Sequence, residues 1–348
     1  MGIRSIHGDR YFGERSINNR SGNNGFQMMI PTGKGFFNWQ IPRCGGPQQI
    51  ADVAALCGYK HMLVKIADGP DNFGIVNNID LAAKLIRALT ANGIEAWGWQ
   101  YIYLYNPDSE AVKASDRIAD TGVKGFVINA ESQCKGKPSQ AHDYCSALRA
   151  RVNAGFPIGL SSYRFPSLHQ ELPWAEFRKI CDFDMPQVYW MMAHNPGDQL
   201  RRCVTEFSRF ERKLPMVATG AAYREFGWQP TKNEVIEFMT VAKELGIGFN
   251  FWEWYDALYI LPMEIWEAIG AWDAGESPIP PIPINKVTVN TDVLNIRNAP
   301  IVNNGTLIGQ TTQGKLWEVT GHVWDEMGRM WVQSGPSAHL AGWLVKEL

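Results

Sequence analysis

Between Lys34 and Trp272 a short apolar run followed by an amphipathic segment recurs eight times. The runs Gly35–Ile41, His61–Ala67, Glu95–Tyr103, Gly125–Ala130, Pro157–Tyr163, Phe183–Trp190, Leu214–Gly220 and Gly248–Trp254 have the β-branched and aromatic character of buried strands. The segments between them read as helices, among them Pro47–Cys57, Ile79–Ala91, Ser109–Thr121, Ser139–Val152 and Lys232–Leu245. Several open at Pro or after Ser, Thr or Asn, and several stop before Gly93, Gly122 and Gly246, as capping requires. Eight βα units over this length predict a (β/α)8 barrel at residues 34–274. A doubly wound sheet is the alternative from the same alternation. The first strand is not followed by G-x-G-x-x-G, which weighs against it.

The pattern changes after residue 274. Residues 275–285 carry Pro278, Pro280, Pro281 and Pro283 and read as a stiff, extended linker. Residues 286–348 then show short strand signals: Val287–Val289, Leu294–Arg297, Leu307–Thr311, Leu316–His322, Met330–Gln333 and Gly342–Val345. These predict a small all-β barrel. Residues 1–33 form a polar arm rich in Gly, Asn and Arg. Its composition suits either disorder or a docking segment for a phage or injection-machine particle.

Composition narrows the function. A net charge of −2 and the absence of any Lys/Arg block argue against a nucleic-acid binder. No apolar run is long enough to span a membrane. The six cysteines form no C-x-x-C pair, and no His stands at metal-ligand spacing beside them, so mostly buried free thiols are expected, with Cys134 and Cys145 as a pair that could bridge, and neither metal nor cofactor. Met1–Asn24 lacks the apolar core of a secretory leader. Fourteen tryptophans are many for 348 residues, and flat indoles suit sugar rings as well as cores.

The chemistry concentrates in Gly125-Phe126-Val127-Ile128-Asn129-Ala130-Glu131-Ser132. Asn129 and Glu131 are two apart, so they share a face. At the end of a fourth barrel strand both look into the mouth where such enzymes work. An amide beside a carboxyl there suggests glycosidic-bond chemistry, although Glu131 could instead be a structural carboxylate paired with Lys65 or an Arg. Gln187 and Tyr189 also share a face and are candidate substrate contacts. Glu253 stands between Trp252 and Trp254. Either Glu253 faces the lumen as a second carboxylate, or the tryptophans line the site. Asp184 opens its strand at the stability face and reads as structural.

Several motifs carry family resemblances. Val64-Lys65-Ile66-Ala67-Asp68-Gly69 resembles the second strand of glycoside hydrolase family 25, the lysozymes, with Asp68 at its acidic position. Ile158-Gly159-Leu160-Ser161-Ser162-Tyr163 resembles that family's fifth strand. Met185-Pro186-Gln187-Val188-Tyr189-Trp190 resembles the sixth strand of the family 18 chitinases, and Phe249-Asn250-Phe251-Trp252-Glu253-Trp254 a closing strand with a floor tryptophan. Two acids of family 25 are amides here, Asn38 on the first strand and Asn129 before Glu131. Asn-x-Glu itself resembles the family 85 endo-β-N-acetylglucosaminidases. That resemblance implies substrate-assisted hydrolysis with Glu131 as acid/base and Asn129 orienting the 2-acetamido group, an exception to the two-carboxylate rule. It leaves Asp68 as an auxiliary acid and Asn38 as a substrate contact. The tail resembles the bacterial Src-homology-3 family through Leu294-Asn295-Ile296-Arg297-Asn298-Ala299-Pro300, Leu307-Ile308-Gly309, Trp331-Val332-Gln333 and Gly342-Trp343-Leu344-Val345. This implies wall binding, with Trp317 and Trp324 as surface candidates and Trp331 and Trp343 as core.

Together these readings predict a peptidoglycan-cleaving glycosidase, tethered to its substrate and acting on glycan strands beside their peptide stems. It would be made in the cytoplasm and reach the wall by lysis, export or particle delivery. The runner-up is a non-catalytic glycan-binding or structural protein on a degenerate barrel, motivated by Asn38 and Asn129. A glycosidase for another polysaccharide is the third reading, since barrels host many chemistries.

Overall fold

The structure, a computed structural model, describes residues 30–272 and the strands between residues 286 and 347. The strands of the first part are β1 Lys34–Asn38, β2 His61–Asp68, β3 Glu95–Ile102, β4 Gly125–Ala130, β5 Ile158–Tyr163, β6 Phe183–Val188, β7 Val217–Ala221 and β8 Gly248–Trp252. Each pairs in parallel with its sequence neighbour, and β8 pairs with β1. The sheet is therefore closed, which excludes the doubly wound alternative. Helices α1 Pro47–Leu56, α2 Leu81–Ala91, α3 Pro107–Thr121, α4 Pro138–Arg151, α5 Trp174–Ile180, α6 Pro196–Phe207, α7 Lys232–Glu244 and α8 Met263–Ala271 connect the strands. None of the described helices is long and apolar enough to cross a membrane.

Strand alternation divides the core in two. Phe36, Met62, Ile66, Phe126, Ile128, Leu160, Val188 and Phe251 pack outward with the helices. Phe37, Leu63, Trp97, Trp99, Val127, Phe183, Met185 and Val217 form a separate cluster inside the barrel. Rings this large fit a lumen of eight strands only where a neighbour is small. A β-carbon on Gly125 would lie 2.1 Å from Trp97, and one on Gly159 would lie 2.3 Å from Phe183. Both glycines are thus required by close approach rather than by backbone conformation.

Some strand ends fall short of the sequence reading. β1 stops at Asn38 and a 3-10 turn follows at Ile41–Arg43, where Pro42 has no N–H to give a ladder. β8 stops at Trp252, and the chain turns helical at Asp256–Ile260. A register shift between Lys65 and Ala67 interrupts β2 against β3. Through it Lys65 pairs with Trp99 and Asp68 with Tyr101, so residues three apart come to serve the same side of the sheet.

The described strands of the tail pair in antiparallel fashion. Lys286–Val289 lies between Leu316–Glu318 and Val345–Glu347. Leu307–Thr312, Val293–Arg297, His339–Ala341, Met330–Gln333 and Gly321–Trp324 form a second sheet in that order. Trp317 is half-buried and its indole N–H donates to Thr311 Oγ1 at 3.1 Å. The Trp324 side chain, the proline-rich linker and the arm before residue 30 lie outside the described residues.

Candidate active site

A cavity of about 320 Å³ opens at the carboxyl ends of the strands. It is lined by Trp39, Lys65, Trp99, Tyr101, Asn129, Glu131, Gln187, Tyr189 and Trp252. This is the end of the barrel where loops from all eight units converge.

One polar group sits at its centre. Asn129 Nδ2 donates to Glu131 Oε1 at 3.1 Å. Gln187 Nε2 reaches the same oxygen at 2.9 Å, Asn129 Oδ1 at 2.9 Å and Ser161 Oγ at 3.4 Å. A carboxylate only accepts, so the Asn129 amide must turn its NH2 toward Glu131, which leaves its carbonyl oxygen for Gln187. Glu131 Oε1 is thereby anchored twice. Among the described residues Oε2 has no hydrogen-bond partner, and it belongs to a half-buried side chain on the cavity wall. Asn129 Oδ1 retains a second lone pair for a ligand.

The surroundings are aromatic. Trp252 forms the floor, stacked on Trp39 with centroids 6.1 Å apart and edge-on to Trp99 at 5.7 Å. Burial and the nearby Glu131 charge hold the Tyr189 hydroxyl well above its usual range, so it remains a donor. The same two causes, in the same order, push up Tyr101, whose hydroxyl donates to Gln133.

Lys65 supplies the cationic side of the mouth. Its ammonium lies 5.0 Å from the Trp99 ring centre and 3.3 Å from Asp68 Oδ2. Burial lowers its pKa, and the charges of Asp68 and Glu131 oppose that shift. Lys65 thus pairs with Asp68 and leaves Glu131 without an ion pair among the described residues. Asp68 also accepts from the Tyr103 hydroxyl at 3.2 Å. Its carboxylate stands beside the cavity lining, held between Lys65 and Tyr103.

Two expected site residues lie elsewhere. Asn38 alternates with Phe37, and since Phe37 fills the lumen, Asn38 faces the helical layer and is fully buried. Trp39 takes the rim position instead. Glu253 follows the end of β8, so strand alternation no longer governs it. Its carboxylate accepts from the N–H groups of Tyr255 and Asp256, both at 3.3 Å, behind the barrel wall. Burial, and secondarily Asp256, raise its pKa to about 7. Trp252 faces the lumen, whereas Trp254 packs outside among Phe36, Tyr59 and Trp266. The sequence did not single out Trp99 and Tyr101 for the site. The signal was the alternation Trp97, Trp99, Tyr101 along β3, which the sequence continues past the strand as Tyr103 and Tyr105.

No family model matches the sequence, and no curated protein matches it. Solved structures do resemble the fold. The spore cortex-lytic enzyme SleL of Bacillus cereus matches with a TM-score of 0.50 at 11% identity, over 68% of this chain and 73% of that one. A chitinase from Bacteroides thetaiotaomicron matches with a TM-score of 0.52 at 9% identity, over 71% of this chain and 98% of that one. At such identities the likeness establishes the (β/α)8 barrel and nothing finer.

Proposed function

We propose that this chain hydrolyses glycosidic bonds in the glycan strands of peptidoglycan by a substrate-assisted route. The observation that carries the reading is the anchored carboxylate: Glu131 on the wall of a tryptophan-floored cavity, held through Oε1 by Asn129 and Gln187, with Oε2 unpartnered among the described residues. Among the described residues Glu131 is the one carboxylate that lines that cavity. The sugar's own acetamide oxygen therefore serves as nucleophile. It attacks the anomeric carbon as Glu131 Oε2 delivers a proton to the departing glycosidic oxygen, and an oxazolinium forms. Glu131, now ionised, takes a proton from water as that water attacks the same carbon and reopens the ring, with net retention. Asn129 Oδ1 accepts the acetamide N–H, and the Tyr189 hydroxyl donates to the acetamide oxygen. Proton transfer of this kind contributes about 10²- to 10⁴-fold.

The resemblance to families 25, 18 and 85 supports this reading, as does the barrel shared with a cortex-lytic enzyme and a chitinase. A Src-homology-3-like tail would hold the enzyme on the wall and raise local substrate concentration. Action at the wall after lysis, export or particle delivery belongs to the same proposal. The test compares native peptidoglycan with peptidoglycan stripped of its N-acetyl groups. Cleavage with retained anomeric configuration on the first substrate, and none on the second, is expected. Equal cleavage of both contradicts substrate assistance. A non-catalytic wall binder is the second reading, favoured by the two amide donors that already occupy Glu131 Oε1.

A further inference from the structure

The mouth continues past its cavity in one direction. From Tyr101 the aromatic face of β3 runs on past the strand's end at Ile102 to Tyr103 and Tyr105. Ring centroids are 5.0 Å apart for the first pair and 5.7 Å for the second, whose planes lie within 18° of parallel. Tyr101 lines the cavity, whereas Tyr105 is 77% exposed.

An exposed tyrosine on a connecting loop ordinarily needs no support, yet this one has a great deal. Glu110 on α3 is 1% exposed, and its carboxylate accepts the N–H groups of Tyr103 at 2.8 Å, Tyr105 at 3.0 Å and Asn106 at 3.4 Å. Leu104, between the tyrosines, is buried with φ at 56°, a left-handed backbone that a leucine rarely adopts. Such strain persists only where the surroundings over-determine it, and it gathers at binding sites. Lys137 donates to the Tyr103 carbonyl at 2.8 Å and stands 4.2 Å from the Tyr105 ring centre. Asp68 fixes the Tyr103 hydroxyl from the other side. These contacts order a segment whose outermost ring is left open to solvent.

We infer that Tyr101, Tyr103 and Tyr105 form a pre-ordered sugar track that binds units of a polymeric glycan beyond those at Glu131. Tyrosine offers a large, flat, amphipathic surface at low conformational-entropy cost. Ordering it before binding removes part of the cost of association. The track deepens the proposed function and rests on it: it makes the substrate a chain, cut within its length.

The test measures binding of two-sugar and six-sugar peptidoglycan glycan fragments to the full chain carrying Glu131→Gln, which blocks turnover. Adding Tyr105→Ala is expected to lower the ratio of six-sugar to two-sugar affinity about tenfold, a single stacking contact's worth. Tyr105→Phe, which keeps the ring, is expected to preserve the ratio. An unchanged ratio in Tyr105→Ala overturns the track while leaving the glycan reading intact. If neither fragment binds the Glu131→Gln chain, the glycan reading itself fails and the track falls with it.

Discussion

The side-chain amide of Gln187, from β6, donates to the Glu131 carboxylate at the end of β4 across 2.9 Å. The same amide holds Asn129 Oδ1, so one residue sets the orientation of both. A hydrogen bond to a charged group is worth about 1.5–3 kcal/mol. Gln187→Ala is therefore expected to lower kcat about 10- to 100-fold with the fold intact. Steady-state kinetics beside a thermal melt check this, and an unchanged kcat would remove Gln187 from the positioning network.

The amide at position 129 has an electrostatic consequence. Asn129→Asp would set a second carboxylate about 3 Å from Glu131, and such pairs share one proton. The variant is expected to work on the acid side, where the pair holds its proton. It should lose activity as rising pH removes that proton and the two charges repel. The pH–rate profile should gain an ionisation that the parent lacks; superimposable profiles would contradict the shared geometry.

Two buried groups away from the mouth oppose each other in stability. Glu253 titrates near 7 in the folded chain against an ordinary 4.5, so raising pH through that window favours unfolding. His61, buried with its Nδ1 3.0 Å from the Thr32 carbonyl, titrates near 4 against an ordinary 6.5. Raising pH from 4 to 6.5 therefore favours folding at that site. Glu253→Gln should gain stability relative to the parent above pH 7, on the order of 3 kcal/mol, and the gain should vanish near pH 4.5. His61→Gln should compare with the parent better at pH 4 than at pH 7. Urea unfolding across pH 4–8 measures both differences. A Glu253→Gln effect independent of pH would contradict the assigned titration.

Asp184 and Arg178 form a buried ion pair at 2.8 Å on the outer face of β6. Asp184→Ala strands the guanidinium and is expected to cost about 3–5 kcal/mol. At temperatures where the variant is folded, kcat/KM should match the parent. A stability-neutral substitution would show that the pair carries no net weight.

The parts of this site that were legible in the sequence are those governed by strand alternation. Asn129 lies in β4 and Gln187 in β6, while Glu131 stands one residue past β4 with its backbone still extended and Tyr189 one residue past β6, and all four line the mouth. Alternation misled where the strand was irregular or finished. The register shift after Lys65 brings Asp68 round to the Lys65 side, which no period-two count predicts. Glu253 lies one residue past β8, where the pleat no longer sets direction. Asn38 was placed by a family motif, but its neighbour Phe37 holds the lumen and turns it outward. The support given by Glu110 to Tyr103 and Tyr105 is a tertiary contact from α3, visible only once the chain is folded.

If Glu131 is the acid/base of a glycan-cleaving site, its carboxyl must be required for turnover and not for wall binding. Reducing-end release from purified peptidoglycan, measured for the parent and Glu131→Gln beside a wall-binding assay, addresses it most directly. Release by the parent is expected to collapse in Glu131→Gln while wall binding persists. No release by either protein, with binding intact, would contradict that expectation and leave a wall-binding protein on a barrel without turnover.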